Sequence, residues 1–222
     1  MKKIVENYKT HINKEYLKEA ILSLVFLTVS LIINYYTGLY ATSVASNPVS
    51  DIILSNFRVY DVDFFFIYGA LALWAFFIAI IFLDPKKIAF SFKSIALFVV
   101  IRAIFVSLTH IAPFPGQIVI VGNRFFDLFS ASAGDLFFSG HTGLPFLFAL
   151  IFWKEKVLRY IMLAASVFFG IIVLMGHIHY TIDVAAAFFI TYSIYSLALV
   201  FFKKDREYFY NGSIKNNITE II

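Results

Sequence analysis

The chain has 222 residues, of which 61% are hydrophobic, 19% aromatic and only 14% charged. An ordinary soluble domain is roughly 45–50% apolar and about 25% charged, so a water-soluble globule is excluded and the length suits one integral membrane domain. The net charge of +4 is segregated along the chain rather than pooled into a nucleic-acid footprint, and the lack of cysteine excludes disulfides, thiol catalysis and cysteine metal sites.

Residues 1–19 form a polar head carrying Lys2, Lys3, Lys9, Lys14 and Lys18. The first apolar run extends from Ala20 to about Tyr36. A cleaved signal peptide is the competing reading, but the head is long for one and Ala41–Ser46 is the only small-residue stretch nearby. The second run, Phe64–Leu83, has no charge and is long enough to cross a ~30 Å hydrocarbon core. The third is Ser94–Ile111, interrupted by Arg102; the fourth and shortest runs from Phe137 to Trp153. The fifth spans Val157–Met175 and the sixth His179–Phe202.

These runs predict an all-α integral membrane protein. Six transmembrane helices form a bundle over residues 20–202, between a polar head (1–19) and a polar tail (203–222). With the head in the cytoplasm, the cytoplasmic pieces 1–19, 84–93, 154–159 and 203–222 hold fifteen lysines and arginines. The opposite loops hold only Arg58 and Arg124. The positive-inside rule then puts both termini in the cytoplasm and the 112–140 loop and the Gly176–Ile178 turn outside.

Four of the five histidines, His110, His141, His177 and His179, fall at the outer ends of spans three to six. Ionisable groups at a membrane span are costly and point to function. His179 and Asp183 are four residues apart, and on a helix that spacing stacks them on one face. Asp183 would then fix the tautomer of His179 and leave its other ring nitrogen free as nucleophile or base. The stretch Gly134-Asp135-Leu136-Phe137-Phe138-Ser139-Gly140-His141-Thr142-Gly143 leads into span four. Ser139 and Thr142 suit a helix start, Gly140 lets the backbone approach a ligand, and the helix N-terminus is a ready anion site. Asp135 suits either helix capping or ordering of the site. Two histidines at two helix starts suggest acid–base and nucleophilic work on an anionic group. Zinc held by His179, Asp183 and His141 is the rival chemistry.

Ser139-Gly140-His141-Thr142 and His179-Tyr180-Thr181-Ile182-Asp183, about forty residues apart, resemble the paired active-site motifs of the type 2 phosphatidic acid phosphatase superfamily. The wording Gly-Asp-x-x-Phe-Ser-Gly-His-Thr with His-Tyr-Thr-Ile-Asp-Val, and Arg102 followed by Pro113-Phe114-Pro115, is most similar to the sphingomyelin synthase-related branch. The resemblance covers roughly residues 102–202 and agrees with six spans. It implies that His179, oriented by Asp183, attacks a lipid phosphoester to give a phosphohistidine. His141 would protonate the leaving oxygen and then activate the acceptor, with no metal or other cofactor. With water as acceptor the enzyme is a phosphatase; with a lipid hydroxyl such as ceramide or diacylglycerol it is a head-group transferase.

The Lys-then-Arg-Pro motif of the phosphatase branch is missing. Arg102 and Arg124 are then the cations left to bind phosphate beside Ser139, Gly140 and Asp135. The competing classes are a metal-dependent membrane hydrolase and a small transporter. A transporter would gather its polar groups near the midplane on broken spans, whereas here they gather at one face.

Overall fold

The computed structural model describes residues 2–118 and 135–211, and among them regular structure is entirely helical. Helices α1 (Lys2–His11), α2 (Lys14–Ser43), α3 (Ala70–Phe82) and α4 (Ile88–Leu108) come first. They are followed by α5 (Gly140–Ile151), α6 (Lys156–Met175), α7 (Thr181–Phe201) and α8 (Lys203–Asn211). A π-helical turn, Phe65–Gly69, leads directly into α3.

Helix α4 is the axis. In its apolar window 72% of residues are buried, against 17–33% in the other long helices, so the others pack around it. On α2 the buried positions are Tyr16, Ser23, Ser30, Gly38 and Ala41, which recur about every seven residues and so share one face. Both serine hydroxyls donate to carbonyls three residues back, Ala20 and Leu27. Small, internally satisfied residues let α2 lie close against α4, while Leu24, Val25, Phe26, Val29, Ile32 and Ile33 point outward. Apolar residues outside and small polar ones inside is the arrangement a hydrocarbon solvent favours.

Among the described residues, five helical segments are long and apolar enough to cross a membrane: 14–43, 65–82, 85–108, 156–175 and 181–201. The expected fourth span, 137–153, is the exception, because its helix α5 has only 12 residues. At 1.5 Å per residue that is ~18 Å, short of a ~30 Å core. Its start is recessed. Ser139, which caps it, lies beside Arg102, six residues or ~9 Å before the end of α4.

Two other boundaries move. The polar head is already helical, with α2 beginning at Lys14, where Asn13 Oδ1 accepts the Tyr16 N–H at 2.7 Å. Span three begins at Ile88 rather than Ser94, so Lys93 lies inside a helix and is buried.

The pieces 2–19, 84–93, 154–159 and 203–211 meet at one end of the bundle. Tyr8 donates to the Phe82 carbonyl, Lys87 pairs with Glu155 at 2.6 Å, and Tyr208 donates to the His11 carbonyl. Lys93 makes the buried link, reaching Glu19 Oε2 at 2.6 Å and Asp205 Oδ2 at 2.7 Å. At the other end, the 44–64 and 109–118 segments fold over the starts of α5 and α7. Ser46 donates to the His110 carbonyl, Tyr60 N–H to the Met175 carbonyl and Ile118 N–H to the Gly176 carbonyl.

A buried cation removed from its partners leaves charges uncompensated, which costs about 3–5 kcal/mol. Lys93→Ala is therefore expected to lower the thermal unfolding midpoint in detergent clearly more than Lys93→Ala combined with Asp205→Asn. Equal midpoints for Lys93→Ala and the unsubstituted chain would show that the triad carries no stability.

Candidate active site

Three short pieces of backbone make the site: the π turn before α3, the 135–141 approach to α5, and the 176–183 turn between α6 and α7. His177 adopts φ 54°, a left-handed conformation uncommon for a residue with a side chain. It turns the chain sharply after α6, and the Ile178 N–H returns to the Val173 carbonyl at 2.8 Å. His179 emerges from this turn pointing inward, only 5% exposed.

His179 lies ahead of α7 rather than on it, since the helix begins at Thr181 with Tyr180 as its N-cap. That changes its partner. Nδ1 is 2.8 Å from the Leu136 carbonyl and 3.5 Å from Asp183 Oδ2. A ring nitrogen facing a carbonyl oxygen must carry the proton, so the neutral ring leaves Nε2 unprotonated. The Leu136 carbonyl therefore fixes the tautomer that the sequence attributed to Asp183. Asp183, 1% exposed, accepts the Tyr180 N–H at 3.0 Å and so secures the first turn of α7. Its charge remains close to the imidazole.

The residues on either side of Leu136 are in turn held by Arg102. The Arg102 guanidinium donates through Nε to the Phe138 carbonyl at 2.8 Å and through one terminal nitrogen to both Asp135 oxygens at 2.7 and 2.8 Å. Its other terminal nitrogen reaches the Asp135 carbonyl at 3.2 Å. Every nitrogen of Arg102 thus has a protein acceptor. These bonds make Arg102 a clamp on 135–138, because a buried guanidinium takes the acceptors within reach. Asp135 serves the same clamp.

Ser139 is the N-cap of α5; its Oγ accepts the Thr142 N–H at 3.4 Å, and its own N–H donates to the Asp183 carbonyl at 3.2 Å. The starts of α5 and α7 are thereby joined. At Gly140 a Cβ would sit 3.4 Å from Arg102 Nε, and at Gly143 it would lie 2.8 Å from the Phe98 ring and 2.9 Å from the Thr191 hydroxyl. Gly143 is the tighter of the two and lets α5 pack on α4 and α7.

His141, on the first turn of α5, stacks on Phe66 with ring centroids 4.0 Å apart and planes 21° from parallel. The backbone of Phe66 also hydrogen-bonds the imidazole. A π turn interrupts the regular i→i+4 ladder and commonly marks a functional position; here it supplies that bond. His141 also lies within electrostatic range of His179 and Arg102. His110 stands apart, exposed, with Nε2 3.0 Å from the Ser107 carbonyl and its ring edge against Tyr40. His177 packs edge-on against Phe114, and among the described residues neither of its ring nitrogens has a hydrogen-bond partner. Arg124 lies outside the described residues. No group of three or more His, Cys, Asp or Glu among the described residues is arranged to hold a metal ion.

The structure adds two residues that the sequence reading passed over. Phe66 opens the second apolar run with Phe64 and Phe65; those two are exposed, but Phe66 is 2% exposed beneath His141. Asp51 accepts the Thr181 N–H and hydroxyl, both at 2.7 Å, and the N–H groups of Ile53 and Leu54 at 2.9 and 3.0 Å. It sits some 130 positions from Thr181, too far for any local spacing to have hinted at it.

Residues 132–199 match a family model described as PAP2 superfamily C-terminal. The match supports the type 2 phosphatidic acid phosphatase superfamily. It takes in both histidine motifs, α5, α6 and nearly all of α7, and it supports a phosphatase-type enzyme acting on lipid phosphate in a membrane. No curated protein and no solved structure matches the chain.

Burial pulls the Asp51 carboxyl up, but the bonds from Leu54, Thr181 and Ile53 outweigh it and hold the group below its ordinary value. A carboxylate lowered on folding contributes stability above its unfolded pKa of about 3.9 and loses it as the pH falls through the folded value. Thermal midpoints measured from pH 7 down to pH 3 should therefore fall at the acid end, and the fall should be shallower in Asp51→Asn. Identical acid limbs would show that Asp51 does not hold the start of α7.

Proposed function

We propose that this protein transfers phosphate from a lipid phosphoester through a phosphohistidine at His179. The observation that carries the reading is the bond from His179 Nδ1 to the Leu136 carbonyl, which presents an unprotonated Nε2 beside His141. Nε2 attacks phosphorus, and the bond to the leaving lipid oxygen breaks as His141 delivers a proton to it. The negative charge of the phosphate favours the protonated form of His141 needed for that step. The first-turn N–H groups of α5, capped on one side by Ser139, suit the phosphate oxygens, with Gly140 as the point of closest backbone approach. Neutral His141 then takes a proton from the acceptor hydroxyl, whose oxygen attacks phosphorus and releases His179.

Arg102 and Asp135 act on this reading as positioning residues, while Asp183 stabilises the positive charge that builds on His179 after attack. On this reading both termini lie in the cytoplasm and the chemistry at the extracytoplasmic face; the segregation of lysines and arginines supports that orientation. Arg124 is proposed as an interfacial phosphate contact on its sequence position alone. The wording of the Asp135–Thr142 motif favours a lipid hydroxyl such as ceramide or diacylglycerol as acceptor, in the manner of a sphingomyelin synthase-like transferase; water as acceptor makes the enzyme a phosphatase.

The test is a product assay on purified protein in liposomes with labelled phosphatidic acid, phosphatidylcholine or phosphatidylethanolamine, with and without ceramide or diacylglycerol. Free phosphate regardless of acceptor identifies a phosphatase, and label on the acceptor identifies a transferase. Activity should survive chelator; loss in chelator would return the metal-dependent reading. His179→Ala is expected to reduce turnover to background with an unchanged unfolding midpoint, and full activity in it would overturn the mechanism. Asp183→Asn keeps an acceptor for the Tyr180 N–H and leaves the Leu136 bond in place, so its cost should be about 10–100-fold in kcat, the scale of an outer-shell partner. A loss below threefold would make Asp183 purely structural.

A further inference from the structure

At the end of the bundle away from the histidines, an open cavity of about 680 Å³ lies between the C-terminal ends of α5 and α7 and the short helix α8. Its volume is that of a small-ligand site, and its lining divides by polarity. One wall is Tyr192, Tyr195 and Leu199 of α7. These are spaced three and four apart and share a helix face. Trp153 closes that wall, and Tyr192 and Trp153 are exposed at 60% and 47%, so the wall opens sideways onto the apolar girdle of the bundle. The other wall carries Lys154 and Arg206.

Among the described residues neither Lys154 nor Arg206 is in an ion pair, although Lys87, Lys93 and Lys86 nearby are all paired. Lys154 instead rests its ammonium 4.2 Å from the Tyr210 ring centroid, and the Tyr210 hydroxyl donates to the Ile151 carbonyl at 3.4 Å. Lys156, Arg159, Lys203 and Lys204 flank the cavity in sequence, while Glu155 and Asp205 are already neutralised by Lys87 and Lys93. Glu207 is the one carboxylate on the lining. The field here is positive, beside a membrane-facing aromatic and aliphatic wall.

We propose that this cavity binds an anionic glycerophospholipid of the surrounding leaflet. Its phosphate lies between Lys154 and Arg206, and its acyl chains run along Trp153, Tyr192 and Leu199. Basic pockets between membrane helices suit anionic head groups, and tyrosine and tryptophan suit the head-group level. A soluble anion would use the two cations but not the apolar wall. The site is separate from the histidine chemistry and does not depend on the reaction proposed above. It does touch the far ends of α5 and α7, the two helices whose first turns hold His141 and Asp183.

The chain contains only two tryptophans. With Trp74→Phe, Trp153 becomes a local reporter. The experiment reconstitutes this variant in phosphatidylcholine vesicles and measures quenching of Trp153 by acyl-brominated phosphatidylglycerol and acyl-brominated phosphatidylcholine at equal mole fraction. Severalfold stronger quenching by the anionic lipid at low mole fraction, abolished by Lys154→Gln with Arg206→Gln, is the expected result. Equal quenching by the two lipids would overturn the proposal, as would a preference that survives the double substitution. Reversal of the quenching by millimolar inorganic phosphate would mark a soluble-anion site and overturn the lipid assignment. In the chain with Trp74 in place, amide exchange over residues 203–211 should slow in phosphatidylglycerol relative to phosphatidylcholine, and an unchanged rate would count equally against it.

Discussion

The geometry of the site depends on one buried charge. Arg102 sits in the axial helix and is only 7% exposed, where an unpaired guanidinium would cost several kcal/mol. It is paired by folding the 135–138 segment against it, through the Asp135 carboxylate and the Asp135 and Phe138 carbonyls. That fold aims the Leu136 carbonyl at His179 and sets Ser139 at the start of α5. The tautomer of His179 and the depth of His141 both follow from compensating one charge in a low dielectric.

That depth also accounts for the short α5. A helix of 12 residues is ordinarily too short to cross a bilayer, but this one starts about two turns below the end of α4 and need not. Above it lie the loops 44–64 and 109–118. Asp51 and Tyr180 fasten these to the start of α7, with Tyr180 accepting the Val49 N–H and donating to the Ala112 carbonyl. His141 and His179 are therefore held from below by helices and from above by loops. Rigid elements carrying short, locked segments suit a step that needs two ring nitrogens in register.

The opposite end follows the same economy with different chemistry. Lys93 is buried and satisfied by Glu19 and Asp205, which ties α2, α4 and α8 together. Lys154 and Arg206, which are in no ion pair among the described residues, line the cavity beside α8. Charge is neutralised internally where the bundle must close and left available where it borders the membrane surface.

Much of this was legible in the sequence. The low charge content and the uncharged run 64–83 determined a membrane protein, and the spacing of Ser139-Gly140-His141-Thr142 from His179 and Asp183 singled out the site. Both depend on local composition and on periodicity along the chain, which a linear reading contains. The partner of His179 did not follow, because the i, i+4 rule presumes a helix and the residue falls in a turn governed by the left-handed His177. The roles of Asp51, Phe66, Lys93 and Arg102 were equally hidden. Each is defined by an acceptor, ring or counter-charge tens of residues away, and only the packing of helices at the cost of burying polar groups decides which distant partner is met.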